Sequence, residues 1–374
     1  MVGKYLLISL VLVAHLGIRC CANVDANPLS RNVIPIEIHR IVAVGDVHGD
    51  AERFRQILEM SGVISLRSNS SKQVVWKPRW GTKEGNFFRE YGTRLRTTLI
   101  QTGDLIDRGE EDLEVLEMAV SLFNEVRTNY TDDKVVLLMG NHELLNLQGH
   151  FHYVHSKSMG GFLTRALRKR AFELNGTFGG FILENFTVAY AVADTLFVHA
   201  GIDEHVASDG IERLNREAKQ AIRTKNFGHI LLGSTGPLWS RKMFLDASNG
   251  RCADTKKALA SLGVKRVVVG HTPQRSGRVE TFCGGSVIAI DVGMSRWMYG
   301  NIAALEITVT SYSSGEGVEE EVVLHEVLAS DARRNGTLED FLNDTLFLEE
   351  LQHAVEEYNQ RQTTKGKNDV LDDL

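Results

Sequence analysis

The sequence predicts an α/β fold, a largely parallel sheet covered by helices, and two observations lead to it. The first is a pattern that recurs five times: a short run of Val, Ile and Leu passes directly into a loop of Gly, Asp, His or Asn. Continuous apolar runs of this kind suit strands buried on both faces. The second is that amphipathic stretches, 51–60 and 110–126, follow the first two of these loops, so the first half of the chain reads βαβαβ. Composition agrees, because 374 residues with 43% hydrophobic and 24% charged side chains are ordinary for a globular catalytic domain and exclude disorder as the main state.

In chain order, residues 1–22 read as a secretory signal peptide. Lys4 precedes an apolar run over 5–18 broken only by Ser9 and His15, and Cys20 and Ala22 suit cleavage after Ala22. The run is short of the roughly 20 residues that span a bilayer, so the mature chain is expected to carry no stable membrane span. An uncleaved anchor is the alternative. Sequons at Asn69, Asn129, Asn175, Asn185, Asn335 and Asn343 fit a glycoprotein of the secretory pathway, retained in an endomembrane lumen or secreted.

The catalytic domain is expected over 38–330. Its motif-bearing strands are 41–44 before GDVHG, 97–101 before GDLIDRG, 135–139 before GNHE, 195–198 before HAG and 267–269 before GHTP. Between the first two loops, 67–94 carries Trp76, Trp80, Phe87, Phe88 and Tyr91 and reads as an insertion bordering the site. Residues 157–175 are helical in pattern and basic at Arg165, Arg168, Lys169 and Arg170, which reads as a solvated helix face. After GHTP, 286–290, 303–308 and 320–327 alternate or are β-branched and read as strands of a second sheet. Residues 331–360 are expected to form a C-terminal helix packed on the domain, and 361–374 a disordered polar tail.

Several function classes are excluded at this level. A net charge of -6, with 42 basic against 48 acidic residues and no basic tract, lacks the footprint of a nucleic-acid binder. Four cysteines, two of them adjacent at Cys20 and Cys21, make neither a disulfide-dense scaffold nor a CxxC zinc site. One internal bridge remains open, Cys252 to Cys283.

In open α/β sheets ligands sit at the carboxyl ends of the strands, where all five polar loops lie. Asp46, His48, Asp104, Asn141, His199 and His271 then form a mixed oxygen and nitrogen set suited to two divalent metals rather than one structural zinc. Manganese, iron and zinc all accept such a mixture. Asp104 is the natural bridge, with Asp46 and His48 on one ion and Asn141, His199 and His271 on the other. Two ions can lower the pKa of a shared, bridging water, so that its hydroxide attacks directly, and clamp both oxygens of an in-line displacement, which points to phosphoryl transfer. His142 is free to protonate the leaving oxygen with Asp107 orienting it, and Arg108 offers a planar fork for phosphate. Arg241, after GPLWS, is the candidate second clamp. Asp291 and Gly293 read as a turn at the same edge, and His150, His152 and His155 carry no assignment. Any one motif has a bland explanation, a tight turn at GDVHG or a helix start at GNHE; five in order at strand ends do not.

These motifs, in this order, resemble the signature of the PPP metallophosphatases. The resemblance spans about 41–305 and implies a calcineurin-like metallophosphoesterase β-sandwich, two mixed sheets flanked by helices with a dinuclear metal site at strand ends. Residue by residue it implies the same ligand set, the same His142 and Asp107 pair and Arg108 on phosphate. Met139 stands where an Arg usually precedes GNHE, Ala200 replaces the first Gly of HGG, and the SAPNYC-type loop is absent. GNHELLNLQGHFHYV, GPLWSR and AIDVGMSRWMYG instead resemble the Shewanella-like protein phosphatases. That branch usually has an acidic residue and an Arg near His150 and His152. The implied partners are phosphoproteins carrying phosphoserine, phosphothreonine or phosphotyrosine. An ApaH-like hydrolase of dinucleotide polyphosphates, its base stacked on the 76–94 insertion, and an inactive phosphopartner scaffold are the competing readings.

Overall fold

Each of the five apolar runs that ends in a polar loop forms a strand. The computed structural model describes residues 35–66, 73–78, 89–90, 92–314 and 317–328. The expected signal peptide, C-terminal helix and tail lie outside the described residues, as do Trp80, Phe87, Phe88 and Tyr91. In chain order the elements are β1 (Glu37–Val44), α1 (Ala51–Met60), β2 (Ile64–Leu66), β3 (Val74–Trp76), β4 (Arg94–Gln101), α2 (Asp112–Asn129), β5 (Lys134–Leu137), α3 (Asn141–Leu147), α4 (Ser156–Gly161), α5 (Arg165–Phe172) and α6 (Thr177–Asn185). There follow β6 (Ala189–Val192), β7 (Thr195–Val198), α7 (Glu204–Ser208), α8 (Ile211–Arg223), α9 (Lys242–Ser248), α10 (Ala253–Ser261), β8 (Arg266–Val269), β9 (Glu280–Phe282), β10 (Val287–Ala289), β11 (Ala303–Ser314) and β12 (Gly317–Leu328).

The strands make two five-stranded mixed sheets, ordered β12-β11-β1-β4-β5 and β6-β7-β8-β10-β9. In the first, β1, β4 and β5 are parallel and β11 runs antiparallel to β1. In the second, β7, β8 and β10 are parallel, with β6 and β9 antiparallel at the edges. The period of two decides which side chain goes where. Ile41 and Ala43 of β1, Phe197 of β7 and Val268 of β8 meet in the core between the sheets. Their neighbours Val42, Val44, Leu196, Val198, Val267 and Val269 face the helices. Both faces are apolar, which is why these runs do not alternate in sequence.

Helix α1 shows how an outer layer attaches. Asp50 caps it, accepting from the Arg53 amide at 3.1 Å, and Ala51, Phe54, Ile57 and Leu58 form its buried stripe. Near its end the buried Arg40 guanidinium pairs with Glu306 at 2.6 Å and donates to the Ser61 carbonyl, tying β1, β11 and the α1 terminus together.

Two sequence expectations are corrected here. Segments 303–308 and 320–327 are strands, but they return to the first sheet as β11 and β12, whereas 287–289 alone joins the second. Sequence shows that a segment is a strand, not which edge it will pair with. Trp76 does not border the polar loops: its indole donates to Asp133 at 2.9 Å and its amide to Glu125 at 3.1 Å. Asp133 precedes β5 and also accepts from the amide of Thr97, so Trp76 packs at the amino ends of the strands, opposite the loops.

Candidate metal centre

The tight exits from the strands are held in conformations that L residues rarely take. Among the described residues nine non-glycine positions have positive φ, and five of them are His48 (47°), Asp104 (56°), Asp107 (70°), Arg108 (69°) and His271 (63°). Strain of this kind persists only where the surroundings over-determine it. Glu143 supplies much of that constraint: fully buried in α3, it accepts from the amides of Asp104 (2.8 Å), Leu105 (2.9 Å) and Gly140 (2.8 Å). Gly140 is required where it stands, because a Cβ would collide with Asp104 Oδ1 and its amide.

The loops of both sheets converge on Asp104. His199 Nε2 lies 3.3 Å from Asp104 Oδ2, 3.0 Å from Asn141 Oδ1 and 3.2 Å from His271 Nδ1. His48 Nε2 lies 3.8 Å from Asp104 Oδ2 and 3.8 Å from Asp46 Oδ2. Asp46 in turn accepts from the amide of His271 at 3.2 Å. All six predicted ligands are therefore brought together, and Asp104 belongs to both clusters of facing donor atoms, His48 with Asp104 and His142, and Asp104 with His199 and His271.

The outer nitrogens of the three predicted histidine ligands fix what the inner ones offer. His48 Nδ1 donates to the Ile106 carbonyl (3.2 Å), His199 Nδ1 to Thr102 (2.9 Å) and His271 Nε2 to Trp239 (3.1 Å). Their remaining nitrogens face one another and Asp104, as in metal sites whose ligand orientation is set by an outer acceptor. Burial lowers the pKa of His199, but the charge of Asp104 and its hydrogen bond outweigh it and the net shift is upward. Burial pushes His48 and His271 down to about 3, so both are neutral and able to ligate.

The carboxylates around them are too crowded to be at ease alone. Burial, then the charges of Asp291 and Asp104, holds Asp46 well above the usual carboxylate range. Burial, then Asp104, pushes Glu143 up to about 7. Asp291, read from sequence as a turn residue, is sealed against Asp46; its Oδ1 accepts from Gly293 at 2.9 Å and its buried Oδ2 has no donor among the described residues. Buried negative charge of this density calls for cations, and the donor set fits two divalent ions.

Beside this cluster His142 Nδ1 is 2.8 Å from Asp107 Oδ2, and its Nε2 is 3.9 Å from Asp104 Oδ2. Burial lowers the pKa of His142, but the Asp104 charge and the Asp107 hydrogen bond outweigh it and the net shift is upward. Arg108 lies under the half-exposed Tyr153 ring at 5.3 Å, its buried Nε without an acceptor among the described residues. Arg241 reaches the same rim, donating to the His271 carbonyl at 2.9 Å. Tyr153 also packs on His142, ring centres 5.0 Å apart, while His155 is 3.8 Å from Glu110.

One basic residue was misread from sequence. Arg165, Lys169 and Arg170 are exposed, but Arg168 is 0% exposed and reaches Asp107 at 3.2 Å and Asp112 at 2.8 Å. The spacing of apolar residues on α5 gave no warning, since the polar partners Asp107, Asp112 and Asn146 come from segments distant in sequence.

Comparison with known proteins places this geometry. The family model for calcineurin-like phosphoesterases matches residues 39–275. The Shewanella-like protein phosphatase 2 of Arabidopsis thaliana is 30% identical over 306 residues, covering 69% of this chain and 72% of that protein. The Shewanella-like protein phosphatase 1 of Plasmodium berghei is 28% identical, covering 68% and 67%. Among solved structures, a cold-active protein tyrosine phosphatase superposes with a TM-score of 0.58 at 22% identity, covering 82% of this chain and 87% of its own, and so shares the fold. The chain belongs to the calcineurin-like phosphoesterase family, in the branch of the Shewanella-like protein phosphatases.

Proposed function

We propose that the protein is a metal-dependent phosphoprotein phosphatase of the PPP type that hydrolyses phosphomonoesters on serine, threonine or tyrosine. The observation that carries this is the set of three histidines with outer nitrogens bound to main-chain carbonyls and inner nitrogens turned on Asp104. Asp46, His48 and Asp104 would hold one ion, and Asp104, Asn141, His199 and His271 the other, as manganese, iron or zinc. When bound, such a pair supplies Lewis-acid polarisation of the phosphoryl group and acidifies a shared water.

The chain's own residues do the rest. His142, with Nδ1 held by Asp107, carries a proton on Nε2 for the leaving oxygen, so an alkoxide need not depart unaided. Arg108 and Arg241 would grip non-bridging phosphate oxygens, Arg108 from beneath the Tyr153 ring and Arg241 from beside the His271 carbonyl. The printed names of the relatives, protein phosphatase and protein tyrosine phosphatase, support a phosphoprotein substrate. The dinucleotide alternative loses part of its support, because Trp76 packs away from the site. The Cys252–Cys283 bond, with a Cα–Cα distance of 5.5 Å, supports our reading that the protein works in an oxidising compartment of the secretory pathway. Among the described residues no helix is long and apolar enough to cross a membrane.

The test is phosphate release by residues 23–374 from phosphoserine, phosphothreonine and phosphotyrosine peptides and from diadenosine tetraphosphate, with and without manganese. Metal-dependent release from a peptide is the expected result and sets the residue preference. Release from the dinucleotide alone would move the enzyme to the nucleotide branch, and silence on every substrate with metal bound would favour a scaffold.

A further inference from the structure

Arg168 is a fully buried guanidinium in a helix whose other basic residues are exposed, and nothing in α5 itself requires it to be there. Burying a charge is costly unless it is paired, and here only Nη1 lacks an acceptor among the described residues. Its partners are specific. Nη2 lies 3.2 Å from Asp107 Oδ1 and 2.8 Å from Asp112 Oδ2, and Nε and Nη2 reach Asn146 Oδ1 at 3.0 and 2.7 Å. The rings of Phe151, Phe162 and Phe172 surround the guanidinium at 5.6, 4.9 and 5.1 Å.

The atoms it holds are the ones that decide how Asp107 stands. Asp107 uses Oδ2 for His142 Nδ1, and its Oδ1 accepts from Asn146 Nδ2 at 2.9 Å as well as from Arg168. With Oδ1 pinned by two donors the carboxylate cannot rotate away from the histidine. The Asp107 amide, at positive φ, is held by Asp112 Oδ1 at 2.9 Å, and Asp112 is itself fastened to Arg168. Asn146 closes the ring by donating to the His142 carbonyl at 2.9 Å. One side chain therefore fixes the backbone, the carboxylate plane and, through Asn146, the main chain of His142. A lysine here would offer a single ammonium to the three acceptors that Nη2 reaches and would lose the second contact that Nε makes with Asn146.

We propose that Arg168 is a positioning residue of the phosphatase, holding Asp107 so that His142 faces the leaving oxygen; the proposal rests on the phosphatase reading above. Two variants test it, Arg168→Met, which keeps the length inside the aromatic cage, and Arg168→Lys, each alone and combined with His142→Asn. The readouts are kcat/KM on an activated aryl phosphate and on a phosphoserine peptide, bound metal per chain, and Tm. A positioning role predicts a loss of about 10–100-fold on the peptide and less than about 3-fold on the aryl phosphate, with metal content unchanged. It also predicts little further loss when His142 is already Asn, and partial recovery with Lys.

Equal losses on both substrates, or a full further loss in the His142→Asn background, would overturn it in favour of a purely structural ion pair. Should the Met variant fail to fold, the Lys variant on both backgrounds makes the same comparison, and multiplicative losses there overturn the proposal. Failure of the underlying reading is recognised separately. The unsubstituted, metal-loaded enzyme would then release no phosphate from either substrate, and the proposal would fall with it.

Discussion

Replacing both Cys252 and Cys283 by Ser should lower stability by about 3.7 kcal/mol while leaving turnover in place. The bond joins residues 31 apart, and closing a loop of that length removes about 12 cal/mol/K from the unfolded chain, or ~3.7 kcal/mol at 25 °C. Unfolding entropy of ~2.1 cal/mol/K per residue, over the about 290 residues between 35 and 328, turns this into a fall in Tm of roughly 6 °C. The closed loop contains α10, β8 and the ligand-bearing loop of His271. It acts on the unfolded chain, so the folded site is unchanged and kcat well below Tm should stay within about 2-fold. Scanning calorimetry of both metal-loaded proteins, with intact mass to confirm the bond, provides the assay. A Tm difference under about 1 °C would refute the chain-entropy reasoning, and a twofold larger loss would show that the bond also holds native packing together.

Three further outcomes are expected. Burial, aided by the charges of Arg96, Lys134 and Arg94, lowers the pKa of His39 to about 3, so below pH 6.5 the unfolded chain binds a proton the folded chain refuses. This part of the stability is complete at neutral pH and falls by about 2 kcal/mol by pH 5; His39→Gln should flatten the pH dependence of the urea midpoint, and an unchanged slope would assign it elsewhere. Asp104→Asn should bind fewer metal ions per chain by elemental analysis, whereas a wild-type count would remove Asp104 as the bridge. Gly140→Ala should fold but lose metal affinity by at least about 10-fold in a competition titration, because the added methyl strikes Asp104; wild-type affinity would mean that the loop tolerates the shift.

The parts of the fold that were legible in the sequence are those set by neighbours along the chain. Val42 and Val44 precede Gly45 and Asp46 directly, so a buried strand ending in a ligand loop could be read at once, as could the α1 stripe of Phe54, Ile57 and Leu58. What depends on partners far along the chain was not legible. β11 and β12 read as strands, yet their return to β1 is decided by a pairing across more than 200 residues, such as Ile41 with Ile307. Arg168 reads as solvated because its partners Asp107, Asp112 and Asn146 lie 22 to 61 residues away in sequence. Asp291 read as a turn because its burial against Asp46 joins the two sheets. Glu143 reads from the sequence only as part of a helix start at GNHE, and its grip on three loop amides belongs to the folded state. Trp76 misled for a related reason, since an aromatic insertion between two site loops can fold to either end of the sheet.

The most direct test of the central claim is to count metal ions per chain during reconstitution while following phosphate release from a phosphopeptide. The account predicts two divalent ions per chain, with release appearing only as the second site fills and both lost together in Asp104→Asn. Full release at one ion per chain, or from a metal-free protein, would contradict it.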